Sequence, residues 1–283
     1  MPVTELNKIP QTSMWPASAR WAEHVLMYVV RDTRGCELNE VERMNHFPAT
    51  PFCCITWMLA GETELRQQGE QVRDQRLPRI ILAGCQSHYG MTMNIGERHS
   101  FMAVFFSDAF HHLFEVDLSL LQDQLVDATT YLNATGAALL QAVAVAPDHA
   151  QRRRLIENFV ALHTRQLENS PWLRLRRLGH NLSLHVASIF VGVGARQIQR
   201  RVRRETGLPL LGLSKLWRAN RSYQQLKENL KQGKALSWAD HASDQGYADQ
   251  SHMVRDCKEI TGRSPQQILN DTKKNENDWM YRL

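Results

Sequence analysis

Two stretches decide how this chain reads: LSLHVASIFVGVGARQIQRRVRRETG at residues 182–207, and ASDQGYADQSHMVRDCKEITGRSP at residues 242–265. They repeat one another. Ser188 precedes Gly192 by four residues, and Ala242 precedes Gly246 by four, with an offset of 54 in both cases. Arg200 stands seven residues before Gly207, and Arg255 seven before Gly262. Thr206-Gly207 and Thr261-Gly262 match outright, and Pro209 and Pro265 follow. A repeat at fixed period is one supersecondary unit used twice.

The unit reads as a helix-turn-helix. A small residue lets the second helix pack closely on the first, and a turn glycine adopts a backbone conformation that strains other residues. In the first copy the support helix spans Leu184–Phe190, the turn Val191–Gly194, and the second helix Ala195–Glu205. That helix carries Arg196, Gln199, Arg200, Arg203 and Arg204. In the second copy the support helix is Trp238–Asp244, the turn Gln245–Ala248, and the second helix Asp249–Ile260. It bears Gln250, Ser251, His252, Arg255 and Lys258, with Asp249 as a good N-cap. Arg bonds bidentately to guanine O6/N7 and Gln to adenine N6/N7, while further Lys and Arg neutralise phosphates. One such face alone is ordinary solvated surface. Two copies with matched glycines are a specific signal.

Charge agrees. Residues 1–150 hold 10 Lys/Arg against 17 Asp/Glu, a net of −7, and residues 151–283 hold 24 against 12, a net of +12. The basic half favours a polyanion and the acidic half repels one. A solvated Arg-rich surface without a partner is the alternative that charge alone leaves open.

These residues resemble AraC/XylS-type transcription regulators with an N-terminal cupin-like sensor and dimerisation domain. The C-terminal resemblance covers about residues 173–270 and is the more diagnostic in its second motif. It implies two helix-turn-helix subdomains joined by a long helix, here about residues 211–230, with Leu213, Leu216, Trp217, Tyr223, Leu226 and Leu230 near one face as core spacing. It places base-reading sites at Arg196, Gln199 and Arg200, and at Gln250, Ser251, His252, Val254 and Arg255. For Arg200 and Arg255 the alternative is an ion pair or phosphate contact, and for His252 a solvated surface histidine. Four positions depart from the family pattern. Val202 and Cys257 stand where Phe is usual, His241 where the residue is usually apolar, and Gly194 where Ser usually caps the helix, a loss of about 1 kcal/mol. The implied partners are double-stranded DNA in its major groove, a small-molecule effector, a second copy in a homodimer, and RNA polymerase. No membrane is expected.

The first half has a different texture. Residues 1–20, with Pro2, Pro10 and Pro16, read as an irregular lead-in. Val25–Val30, Phe52–Leu59, Arg79–Ala83 and Ser100–Phe106 are β-rich, and Gly61, Gly69, Gly84, Gly90 and Gly96 read as turn signals between short strands of a sandwich or barrel. From Phe110 the apolar residues Leu113, Phe114, Leu118, Leu121 and Leu125 recur at helical spacing, and Leu139–Val145 and Leu155–Leu167 read as further helices. These helices are candidates for a dimer face or a cover for the barrel. The stretches His46–Ala49, Leu77–Gly84 and Phe105–Phe110 resemble one variety of the family's sensor domain. An effector pocket is expected around Phe52, Trp57, Tyr89, Phe101 and Phe105, unless these rings simply fill the barrel.

The fold class is thus α+β: a cupin-like β-barrel with flanking helices, then an all-α module of two helix-turn-helix subdomains. The expected divisions are a sensing domain at 1–130, a helical linker at 131–172, the DNA-binding domain at 173–270, and a polar tail at 271–283. The tail is expected to fray, although Trp279, Met280 and Tyr281 are able to dock.

No catalytic residue, cofactor or metal is expected. Cupin enzymes hold metal through His-x-His, which His46, His88, His99, His111 and His112 do not supply. His111 and His112 are adjacent, so on a helix they diverge by about 100° and rarely share an ion. There is no nucleophile elbow, P-loop or dinucleotide fingerprint. The competing readings are a small-molecule-binding or metal-dependent cupin enzyme with a basic helical tether, and a regulator acting through protein contacts. Cys36, Cys53, Cys54, Cys85 and Cys257 form no CxxC pair and no disulfide framework. Without a leader pattern or a run approaching ~18 apolar residues, a soluble cytoplasmic protein is expected.

Overall fold

The computed structural model describes residues 8–163, 194–233, 237–272 and 274–282. The support helix of the first repeat, and its turn up to residue 193, lie outside the described residues.

The N-terminal half is built on one antiparallel sheet of eight strands: β1 (Gln11–Pro16), β2 (Val25–Asp32), β3 (Met44–Phe47), β4 (Phe52–Gln68), β5 (Gln71–Arg76), β6 (Ile80–Ala83), β7 (Gly90–Phe106) and β8 (Leu125–Asp127). The main order is β1-β2-β7-β4-β6-β8, while β3 pairs with β7 and β5 with β4. Two long strands, β4 and β7, run the length of the sheet and pair from Phe52↔Phe106 to Gln68↔Gly90. One half of this ribbon carries β1, β2, β6 and β8, and the other carries β3 and β5. Among the described residues no ladder joins β1 to β8, so the expected barrel is a bent sheet rather than a closed ring.

The bend explains two misread glycines. Gly61 and Gly96 lie inside β4 and β7, at φ +79° and +75°, where the β4–β7 register slips between Met58 and Glu62. A Cβ at Gly61 would run into the Glu97 carbonyl oxygen. They are bulges that fold long strands, not turns that end short ones. The expected lead-in also differs, because Gln11–Pro16 pairs with β2 in register Gln11↔Asp32.

Alternation along the strands buries both faces. Tyr28, Ile55, Trp57, Phe101 and Phe105 point to one side and are at most 1% exposed. Helices cover that side: α1 (Ser107–Phe114), α2 (Ala128–Tyr131), α3 (Ala134–Val145) and α4 (His149–Leu162). The helical run expected through Leu125 breaks early, because Glu115 turns left-handed at φ 57° and Leu125 enters β8. Phe110, Leu113, Phe114, Leu139, Leu140 and Val143 are buried against the sheet. Their apolar stripes cover it rather than stand free, and α3 and α4 pack into the sheet's own core instead of spanning a linker.

The other face, with Val29, Met102 and Cys54, is covered by the chain's last residues. A 3-10 turn, Glu276–Arg282, packs beside β3, so the tail is docked rather than frayed. Trp279 is 1% exposed, and its Nε1 donates to Asn45 Oδ1 at 2.8 Å. The Arg31 and Arg98 guanidinium groups lie 5.3 and 5.9 Å from its ring centre, in cation–π range. Arg31 also pairs with Glu276. Asp278 is fully buried and receives both Arg263 Nη atoms, at 2.7 and 2.8 Å, with His46 Nδ1 at 2.9 Å. Burial pushes the Asp278 carboxyl up, but His46 and Arg263 outweigh it and bring the pKa down from 3.8 to about 2.

The remaining described residues of the C-terminal half form α5 (Ala195–Thr206), α6 (Leu210–Lys231), α7 (Trp238–Asp244), α8 (Gln250–Thr261) and α9 (Pro265–Thr272), with short connections. These match the expected spans to within a residue where the sequence assigned them. No described helix is long and apolar enough to cross a membrane.

Two outcomes follow from the tail. Trp279→Ala should destabilise the protein by about 3–5 kcal/mol in urea unfolding, as buried Trp truncations do; an unchanged midpoint would mean the tail is not docked. Because the Asp278 pKa is depressed, its contribution is present above about pH 4 and lost as pH falls toward 2. Wild-type protein should therefore lose more stability across that window than Asp278→Asn does, measured by denaturation at each pH.

Candidate nucleic-acid interface

The two repeated helices end in the same way. In α5, Thr206 Oγ1 donates to the Val202 carbonyl at 2.7 Å, and Gly207 follows at φ +78° with its N–H on Arg203 O. In α8, Thr261 Oγ1 donates to the Cys257 carbonyl at 2.7 Å, and Gly262 follows at φ +75° with its N–H on Lys258 O. The residue after each glycine turns its N–H back to the same threonine oxygen, Leu208 at 3.4 Å and Arg263 at 3.2 Å. The left-handed glycine caps the last turn at a backbone angle that side chains resist. The sequence repeat is thus a repeat of hydrogen bonds.

The helix starts differ. Asp249 caps α8, its carboxylate accepting the His252 N–H at 2.7 Å. Gly194 precedes α5 with no side-chain cap. The turn between α7 and α8 holds Gly246 at φ +73°.

The exposed ridges fall where the repeat places them. On α5, Arg196, Gln199, Arg200, Arg203 and Arg204 are exposed, while Ile198, Val202 and Glu205 are buried. Arg196, Gln199, Arg200 and Arg203 follow the i, i+3, i+4, i+7 spacing of a single face. On α8, Gln250, Ser251, Arg255 and Lys258 are exposed, and Met253, Asp256 and Ile260 are buried. Val254 is half-buried, as is His252, whose ring stands 5.4 Å from that of Tyr247 and whose Nε2 is 3.7 Å from Asp256. His252 therefore braces its own helix as well as edging the ridge.

Asp256 is the brace between the second unit and the long helix. Its carboxylate receives Arg218 Nη2 at 2.8 Å and lies 3.4 Å from Lys215 Nζ. Lys215 reaches Glu259 at 2.5 Å, and Arg218 lies 4.5 Å from the Tyr247 ring centre. Nothing in the sequence signalled these pairings, because the partners come from different helices. The Arg201–Glu205 pair, at 2.6 Å, lies within one helix at i,i+4 spacing.

The departures from the family pattern are accommodated. His241 is 6% exposed, and its Nε2 meets Ser222 Oγ at 2.9 Å; burial lowers its pKa. Val202 is buried in the main core. Cys257 lies 3.8 Å from Thr261 Oγ1, and burial pushes its thiol up to about 11.

Helices α5 and α8 touch the N-terminal half at their C-terminal ends. A Cβ at Gly207 would stand 3.0 Å from the Leu118 carbonyl, and one at Gly262 would stand 3.0 Å from the Tyr89 ring. Ala49 N–H donates to the Ile260 carbonyl at 2.8 Å. Tyr89, expected in an effector pocket, is thus at the interface between the halves. Trp57, Phe101 and Phe105 are core residues: Trp57 Nε1 donates to the Leu140 carbonyl at 3.0 Å, Phe101 stacks on Tyr28, and Phe105 meets Phe110 and Phe114. Only Phe52 of the five expected residues lines the large cleft, where it meets Trp217 edge-on at 5.1 Å. That cleft, about 480 Å³, lies between the halves and is lined by Met27, Phe52, Leu216, Tyr223, Met253 and Met280 among others.

Comparison with known proteins agrees at the C-terminal end. Residues 188–271 match the model of a helix-turn-helix domain. No curated protein matches the chain. Among solved structures, ToxT from Vibrio cholerae at 1.65 Å is 12% identical with a TM-score of 0.46, covering 93% of this chain and 98% of that one. ToxT bound to (E)-4-(8-methylnaphthalen-1-yl)but-3-enoic acid is 13% identical, TM-score 0.46, with 93% and 99% covered. Wild-type ToxT bound to an unsaturated fatty acid is 13% identical, TM-score 0.41, with 86% and 94% covered. The stretch 188–271, whose helices α5 and α8 end in the same glycine cap, thus matches a helix-turn-helix domain.

Proposed function

We propose that this protein is a sequence-specific DNA-binding transcription regulator whose N-terminal half governs how two recognition helices are presented. One observation carries the reading. Both helices are fastened to the sensor half at their C-terminal ends, while the Arg- and Gln-bearing turns nearer their N-termini are exposed. Helix-turn-helix proteins insert the N-terminal part of the recognition helix among base edges. On this reading Arg196, Gln199, Arg200, Gln250, Ser251 and Arg255 face bases, while Arg203, Arg204 and Lys258 serve phosphates.

The cleft between the halves supports control by a small molecule. Its walls are largely apolar, and they come from the sheet, the long helix, the second unit and the tail. A ligand there touches the Pro48–Phe52 stretch, the long helix, the second unit and the tail together. An apolar compound fits those walls better than a sugar or nucleotide.

Fragments selected from genomic DNA by the full chain, then titrated in mobility-shift assays, test the reading. Affinity should fall steeply with salt. Arg200→Ala and Arg255→Ala should each raise the Kd for the selected site by roughly 5- to 150-fold, about 1–3 kcal/mol, and relax preference at particular base pairs. Lys258→Ala should weaken all sequences alike and reduce the salt slope by about 1. Unchanged sequence preference in both arginine variants rejects base reading by those residues.

A further inference from the structure

Where α1 meets the first recognition helix, three ligand-bearing side chains converge. His111 and His112 come from α1 and Glu205 from α5, with one ligand atom from each within 4.8 Å of the other two. Two of the groups present buried polar atoms without a hydrogen-bond partner, His112 Nε2 and Glu205 Oε2. These atoms are 3.7 Å apart. That is too long for a hydrogen bond, and it is near the ~3.4 Å between neighbouring ligands that tetrahedral zinc bond lengths imply. Glu205 is only 3% exposed, and its other oxygen is held by Arg201 Nε at 2.6 Å. Unpaired buried acceptors are rare and call for an explanation.

His111 is prepared in another way. Its Nδ1 lies 2.6 Å from the Val116 carbonyl oxygen. The proton therefore sits on Nδ1, and Nε2 keeps its lone pair, the arrangement that fixes metal-binding imidazoles. Adjacent histidines alone make a poor site; the fold adds a carboxylate from a distant part of the chain.

We propose that His111, His112 and Glu205 bind a divalent transition-metal ion, zinc foremost, which clips the first recognition helix to the sensor half. Two imidazoles and a carboxylate are a donor set that suits zinc. The site lies outside the sheet interior, between α1 and α5, so it is a fastening and not a cupin catalytic centre. Glu205 immediately precedes the Thr206–Gly207 helix end, so occupancy fixes the posture of the ridge formed by Arg196, Arg200 and Arg203. The link to DNA rests on the function proposed above; metal binding does not.

The test is calorimetric titration of chelator-stripped full-length protein with Zn²⁺, alongside Co²⁺ absorption as a report on coordination. Wild-type protein should take up one equivalent, show tetrahedral cobalt bands and gain thermal stability with metal. His112→Ala and Glu205→Gln should each weaken uptake at least tenfold and abolish that gain. Arg201→Ala changes an exposed residue that orients Glu205, so it should weaken uptake even if a buried variant fails to fold. Absence of saturable uptake by wild-type protein, or uptake unchanged in all three variants, overturns the site. Mobility shifts with and without Zn²⁺ form a second arm, in which affinity for the selected fragment should change at least fivefold. Confirmed uptake with unaltered DNA affinity overturns the clip. Confirmed uptake by a protein that binds no DNA in either condition refutes the DNA-binding reading and leaves the metal site standing.

Discussion

The structure depends on how the two recognition helices are anchored. Each ends in a threonine that bonds back into its last turn and a glycine at positive φ, and each end lies against the N-terminal half. The backbone angle admits glycine readily, and the neighbouring Leu118 carbonyl and Tyr89 ring leave little room for a side chain. Because the anchor is at the C-terminal end, the first turns of both helices remain in solvent with their Arg and Gln side chains. The two halves therefore meet without covering those exposed turns.

A second fastening works from the opposite face. The chain's last turn covers the side of the sheet that the helices leave bare, with Trp279 beside two guanidinium groups and Asp278 in a buried cluster with Arg263 and His46. Breaking a buried pair by removing one partner is costly because the other charge is left uncompensated. Arg263 directly follows Gly262, so the tail cluster is continuous with the end of the second recognition helix.

How much was legible depended on where the physical signal lay. The C-terminal units were readable because turn glycines, caps and exposed basic residues recur at fixed spacing, and local chemistry decides such features. The strands around Val25, Phe52, Ile80 and Phe101 were readable from unbroken apolar runs, since both sheet faces are covered. Gln71–Arg76 was missed because all six of its residues are exposed and give no periodicity. Gly61 and Gly96 were read as punctuation because a bulge and a turn make the same demand on a glycine. Trp57, Phe101 and Phe105 were candidates for a pocket and proved to be core, a distinction that composition does not encode. The tail was read as fraying because Asn45, Arg31 and Arg98, which hold Trp279, are far away in sequence. The Asp256 brace and the Glu205 cluster were hidden for the same reason.

The central claim is that two ridges, held from behind by one sensor domain, meet a single DNA duplex. Hydroxyl-radical footprinting of the full chain on a selected fragment tests it most directly. The account predicts two protected patches on one face of the duplex, centred about one helical turn apart. A single patch, or protection spread evenly around the helix, contradicts it.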